Sequence, residues 1–319
     1  MMLDSYGTIS KEIKNTARQG SDKCKNFSDF SDYLIFSQKT LSRPVSFSGI
    51  GLHSAKDVTL TIHPAITNHG IVFKRSDVGG DKNPFIKASY ENIIPLQLCT
   101  TIANDDGVMA QTIEHVLAAL SGLNVTNALI EISAEEVPVL DGSAKEFSEK
   151  IYQAGILDQI NFCMALHVLK PVTVSSGDAY CSLHPYNGRK FSFTVDYKNE
   201  FIGKESFDID LTDENFMREV SIARTFGLEE EVESMWNSGY ALGGSLDNAV
   251  VVGKEGILNE GGVRVDSEFA RHKLLDSIGD LMLAGYPVIG HFEGYKSGHH
   301  LTHQLLNKLF SDDSNYAII

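Results

Sequence analysis

The chain has 319 residues, 42% of them hydrophobic and 22% charged, a globular composition of a length that suits two ordinary domains or one large one. Its formal net charge of −15, from 27 basic and 42 acidic side chains, comes without any Lys/Arg-rich run, which argues against nucleic acid as a partner. No apolar stretch approaches the roughly 20 residues that span a bilayer. The N-terminal stretch lacks the apolar core of a signal peptide, and the four scattered cysteines (Cys24, Cys99, Cys163, Cys181) show no C-x-x-C spacing, so a reduced cytoplasmic setting is expected.

Residues 1–40 are polar and read as a mobile N-terminal extension, although DYLIFS could pack. DVTLTIHPA alternates as a strand does, and GIVFKRS reads as its neighbour across the turn at Asn68–His69–Gly70. In QTIEHVLAALSGL, Ile113, Val116, Leu117 and Leu120 recur at helical spacing, and Gly122 ends the helix. NALIEIS is a strand. DGSAKEFSEKIYQAGI opens on a turn and a capping box of Ser143 with Glu146, followed by a helix that ends near Gly155.

A boundary falls near residue 160, which gives a first domain over 41–160 and a second over 161–319. In the second, LKPVTVSSGDAYCSLHP and KFSFTVDY are strands, and TDENFMREVSIARTF is a helix with Thr212 as its N-cap. NAVVVG is a strand, FARHKLLDSIGDLML a long helix capped by Ser267 or Asp266, PVIGHFEGY a strand, and LTHQLLNKLF a closing helix. Strands followed by helices in each half predict an α+β fold with two related halves.

Three places on these helices carry chemistry. With His272 set at zero and about 100° per residue, Asp276 lies near 40° and Asp280 near 80°, opposite an apolar cluster of Leu274, Leu275, Ile278, Leu281 and Met282. That pattern suits a solvated stripe. It also allows one wall of a metal site, because an imidazole and a carboxylate one turn apart can reach a single Zn²⁺. Arg271 falls on the apolar side, where periodicity gives it no explanation. On the helix after Thr112, Glu114 and His115 stand beside Ala118 and Ala119, which leave room for approach. There the histidine could hold a metal while the glutamate takes a proton from water. Near the C-terminus, His299, His300 and His303 have metal-pair spacing, and His299, at a helix start, is also placed for acid–base work.

The segments GIGLHS (49–54), TIEHVLAAL (112–120), VPVLDGSA (137–144), ARTFG (223–227), GGSLDNAVVV (243–252), FARHKLLDSIGDL (269–281) and YKSGHH (295–300), in this order, resemble the zinc-dependent UDP-3-O-acyl-N-acetylglucosamine deacetylases of bacterial lipid A synthesis. The resemblance spans about residues 40–311. It implies two similar α+β domains, each a β-sheet layered with helices, with the active site between them and an acyl-passage insert near 224–252. It implies a cytoplasmic, monomeric hydrolase that removes the N-acetyl group of UDP-3-O-(3-hydroxyacyl)-N-acetylglucosamine. Zinc, or iron(II) in the cell, would be held by His115, His272 and Asp276. Glu114 matches the general base, His299 the general acid, Asp280 the carboxylate that orients it, and Lys273 and Thr225 the transition-state and oxyanion groups. Phe226, Lys170, Leu52 and His53 match positions near the substrate. The resemblance gives His300 and His303 no role, which removes the metal-pair reading of the last helix.

Overall fold

The computed structural model describes residues 37–319. Most of the expected extension lies outside the described residues, but its last part does not. Ser37–Leu41 is a strand that pairs antiparallel with Ile156–Phe162, and Leu41 is fully buried.

The N-terminal half is built on a five-stranded sheet in the order Val45–Ile50, Asp57–Pro64, Ala128–Ile132, Ile71–Arg75, Phe85–Lys87. The strands alternate as their sequences predict. Leu60 and Ile62 point into the core, as do Ile71 and Phe73 and, from the next strand, Ile130 and Ile132. The expected pairing of 57–64 with 71–75 does not occur. Ala128–Ile132 lies between them, antiparallel to the first and parallel to the second. The chain leaves Ile71–Arg75, passes through helix α1 (Glu114–Gly122) and returns parallel, a crossover that local hairpin logic misses. Helix α2 (Lys145–Ala154) packs on the same sheet through Phe147 against Phe47, with ring centroids 4.8 Å apart. It ends at Gly155 in a positive-φ conformation, as expected, but its start carries no capping box. The Ser143 hydroxyl accepts the Lys145 N–H and donates to Asp141, while Glu146 pairs with Lys150.

The C-terminal half has a seven-stranded sheet. Its long central strand Val288–Tyr295 pairs antiparallel with Ala179–His184 and parallel with both Arg189–Asp196 and Leu166–Val168; the closing strand Tyr316–Ile318 has no clear signature in the sequence. The helix expected from Thr212 onward is capped as predicted, since the Thr212 hydroxyl accepts the Asn215 N–H, but it unwinds at residue 220 into an extended ARTF. Phe226–Leu228 and Val250–Val252 then form a two-stranded parallel unit joined through helix α3 (Glu229–Asn237), none of whose residues is buried. Helix α4 (Glu268–Leu281) and helix α5 (His299–Phe310) complete the layer.

Every residue of α4 except Lys273 is buried. The polar stripe read from its periodicity therefore does not face solvent. α4 is covered by α1, by α5 and by the strands Arg189–Asp196 and Lys204–Asp210. Arg271, unexplained by periodicity, stacks its guanidinium 3.8 Å above the Phe207 ring and pairs with Glu219 at 2.7 Å. α1 is likewise buried on all sides. Among the described residues, no helix is long and apolar enough to cross a membrane.

Candidate active site

α1 and α4 approach closely because Gly279 has no side chain. A Cβ at that position would overlap the Glu114 carbonyl oxygen. Glu114 and His115 at the start of α1 are thereby set against His272, Asp276 and Asp280 on α4, and all five are buried. Residue 267, just before α4, adopts a left-handed conformation (φ 54°) and makes no side-chain cap, so neither Ser267 nor Asp266 starts the helix in the expected way. Asp266 gives its carbonyl to the Arg271 guanidinium instead.

His115, His272 and Asp276 each aim one ligand atom at a common point, with these atoms within 4.8 Å of one another. Asp276 Oδ1 lies 3.5 Å from His115 Nε2 and 3.4 Å from His272 Nε2. That oxygen is buried and has no hydrogen-bond partner. An orphaned carboxylate oxygen facing two imidazole nitrogens is unfavourable unless something cationic sits between them. The His272 ring is set for this: its Nδ1 donates to the Ala223 carbonyl at 3.1 Å, leaving the Nε2 lone pair free, and burial lowers its pKa to about 3, so the ring is neutral. The donor set fits a divalent metal.

The Ala223 carbonyl is held in turn by a buried ion pair. Arg224 forks onto Glu268, which also accepts the Arg224 and Arg264 backbone N–H groups. Glu268→Gln should destabilise the fold by about 3–5 kcal/mol in urea denaturation, because it leaves the Arg224 cation without a counter-charge. A loss no larger than that of an ordinary surface substitution would refute this.

Around this three-residue cluster stand the remaining expected residues. Lys273 gives its ammonium to Asp276 Oδ2 at 2.9 Å. Its partial burial alone would lower its pKa, but Asp276, with Tyr197 and Glu114, outweighs that and raises it. Burial likewise works against ionisation of Asp276, yet the facing imidazoles and, as the one full positive charge against it, the Lys273 ammonium hold it well below the usual carboxylate range. Glu114 has Oε2 fixed by the Thr100 N–H at 3.0 Å, with Oε1 facing His299 Nε2 at 3.8 Å, and burial raises its pKa. His299 Nδ1 lies 2.9 Å from Asp280 Oδ2. Burial opposes its charge, but Asp280 and Glu114 bring its pKa up to about 9.

Phe226 stands edge-on to His272 and Phe269, under the Lys273 ammonium 5.6 Å from its ring. Thr225 is half-buried, and its backbone is tied to Gly142 and Val250. His53 stacks edge-on against Tyr240, and its Nδ1 accepts the Ala241 N–H, while Leu52 and His53 offer their carbonyls to Gly243 and Leu242. Burial lowers the His53 pKa, and His299 is among the charges acting on it. Lys170 is placed differently: it is exposed, and its ammonium donates to Ser314 at the C-terminal end.

Three contributors went unread in the sequence. Thr100 holds Glu114 and also donates to Asp280. Glu136, buried, accepts the His53 and Ser54 N–H groups and the Thr112 hydroxyl, tying the GIGLHS loop to the start of α1. Gly279 had the one readable signal, a mid-helix glycine that costs about 1 kcal/mol relative to alanine and so needs a packing reason.

A buried two-histidine, one-carboxylate cluster flanked by a glutamate and a carboxylate-paired histidine can support metal-dependent hydrolysis. Residues 38–311 match the family model described as UDP-3-O-acyl N-acetylglycosamine deacetylase. Curated relatives bearing the name UDP-3-O-acyl-N-acetylglucosamine deacetylase include those of Myxococcus xanthus (45% identical, covering 89% of this chain and 90% of the relative), Actinobacillus pleuropneumoniae serotype 3 (42%; 89% and 94%) and Neisseria meningitidis serogroup A (41%; 88% and 92%). The chain belongs to the UDP-3-O-acyl N-acetylglycosamine deacetylase family.

Proposed function

We infer that this chain removes the N-acetyl group of UDP-3-O-(3-hydroxyacyl)-N-acetylglucosamine, giving the free amine and acetate, in lipid A biosynthesis in the cytoplasm. The observation that carries the reading is Asp276 Oδ1, orphaned between two imidazole nitrogens in a chain of this family. His115, His272 and Asp276 would hold the metal. Zinc suits this donor set, and iron(II) shares it. When bound, the metal supplies Lewis acidity, bringing the pKa of water toward about 7 and polarising the amide carbonyl.

The chain's own groups divide the proton work. Glu114 Oε2 is occupied by the Thr100 amide, so Oε1 is the atom that takes a proton from the attacking water. His299 has Nδ1 held by Asp280, so Nε2, which faces Glu114 and Asp276 at 3.8 and 3.9 Å, gives its proton to the departing sugar nitrogen. The Thr225 hydroxyl and the Lys273 ammonium are assigned to the charge that develops on the carbonyl oxygen; losing one such donor costs about 2.7–4 kcal/mol. Phe226, Leu52 and His53 are assigned to the substrate wall, and Lys170 to its nucleotide end.

The exposed Trp236, Leu242 and Leu246, in and just after α3, support an acyl passage formed by this insert. Separate five- and seven-stranded sheets support a division into 41–160 and 161–319, and a monomer completes the reading. Purified protein should release acetate from the UDP-3-O-acyl substrate when metal is supplied; release no greater than that of a His115→Ala control would overturn the assignment.

The pKa directions set the pH profile. The base must be ionised, so the rate falls as pH drops through the raised Glu114 value. The acid must be protonated, so the rate falls again as pH rises through that of His299, about 9 without metal. A bound dication would draw both values down. A bell-shaped kcat/KM is expected, with the alkaline limb removed by His299→Gln. A wild-type profile lacking either limb would contradict these roles.

A further inference from the structure

Two buried side chains, Thr100 and His303, are unused by the chemistry above, yet Thr100 touches Asp280 and His299 and His303 touches Thr100. Thr100 Oγ1 lies 2.6 Å from Asp280 Oδ1, 3.0 Å from His303 Nε2 and 3.1 Å from His299 Nδ1. A hydroxyl has one proton to give. A separation of 2.6 Å is that of an O–H···O⁻ bond, so the proton goes to Asp280. The hydroxyl oxygen is then an acceptor toward His303, whose Nε2 must carry the proton, and this fixes that ring's tautomer. Asp280 is left with Oδ2 for His299 at 2.9 Å. His303 lies one helical turn after His299 on α5, and burial lowers its pKa, which disfavours the charged ring. The backbone N–H of the same Thr100 holds Glu114 Oε2 at 3.0 Å.

We propose that Thr100 and His303 are positioning residues: His303 anchors the Thr100 hydroxyl, the hydroxyl fixes Asp280 with its second oxygen aimed at His299, and the Thr100 amide sets Glu114, so that acid and base are registered through one residue. This rests on the assignment of Glu114 and His299 to proton transfer. Both residues act through others and touch no reacting atom. A half-satisfied buried network loses more than one bond's worth of order, which is why an outer residue can matter here.

The test uses the full-length metal-loaded enzyme. His303→Leu and Thr100→Val should each lower kcat about 10–100-fold, the range for residues that support catalytic groups from outside, with KM and metal per chain unchanged. His303→Gln, whose amide N–H can reach the same oxygen, and Thr100→Ser should recover most of the loss. Wild-type kcat in His303→Leu, equal impairment in His303→Leu and His303→Gln, or a loss that follows metal content would overturn the proposal. Should His303→Leu fail to fold, the near-isosteric Thr100→Val decides in the same way. His299→Ala separates the two levels. If that variant keeps turnover, the assignment of His299 fails; if it is inactive while His303→Leu and Thr100→Val behave as wild type, only this inference fails.

Discussion

Asp276→Ala will leave the protein with far less than one metal per chain, while Asp280→Ala will keep its metal and lose turnover about 10–100-fold. The two residues sit one turn apart on the same buried helix, yet their oxygens have different partners. Asp276 Oδ1 faces His115 and His272 and is otherwise unbonded, so deleting it removes a ligand from a three-residue cluster. Asp280 has both oxygens occupied, one by the Thr100 hydroxyl and one by His299, and faces neither imidazole of the metal cluster. Its loss releases the acid's ring without opening the metal site. Metal analysis of the two purified variants, paired with acetate release, separates the outcomes. Equal metal loss in both would mean that this division of labour is wrong.

The spacing of these residues was legible, but their environment was not. Periodicity put His272, Asp276 and Asp280 on one stripe, and a stripe facing water has the same spacing as one facing a second helix. What separates them is α1, whose contact with α4 is set by a glycine and by a crossover between strands distant in sequence. The motif order carried the assignment because it encodes that long-range arrangement indirectly. Thr100 shows the limit. It lies 14 residues before Glu114 and 180 before Asp280, in a segment with no helical or strand periodicity, and its position depends wholly on the tertiary fold. Local chemistry was also misjudged where another local partner competed. Ser143 had a plausible capping partner in Glu146, but Asp141 takes its hydroxyl and Lys150 takes the glutamate. Thr212, with no such rival, caps as its sequence suggested.

Gly279→Ala tests the geometry that brings the two helices together, and it should be more damaging than any helix-propensity scale allows. On propensity alone, alanine would stabilise α4 by about 1 kcal/mol. Here the new methyl group would overlap the Glu114 carbonyl carbon and oxygen, which are backbone atoms of α1 and cannot rotate aside. Relief requires α1 to move away from α4, and α1 carries both Glu114, assigned as base, and His115, assigned as metal ligand. Overpacking of this kind costs about 1–3 kcal/mol or more. The shift would also open the space between His115 on one helix and His272 with Asp276 on the other, where ligand atoms must stay near 2.0–2.2 Å from a shared ion. The expected result is a lower thermal midpoint together with reduced metal per chain, the metal loss exceeding that of an equally destabilising core substitution such as Phe147→Leu in α2, whose ring packs against Phe47 on the sheet. A Gly279→Ala protein with wild-type midpoint and metal content would show that the helices have room to spare, and that something other than their close approach fixes the metal geometry.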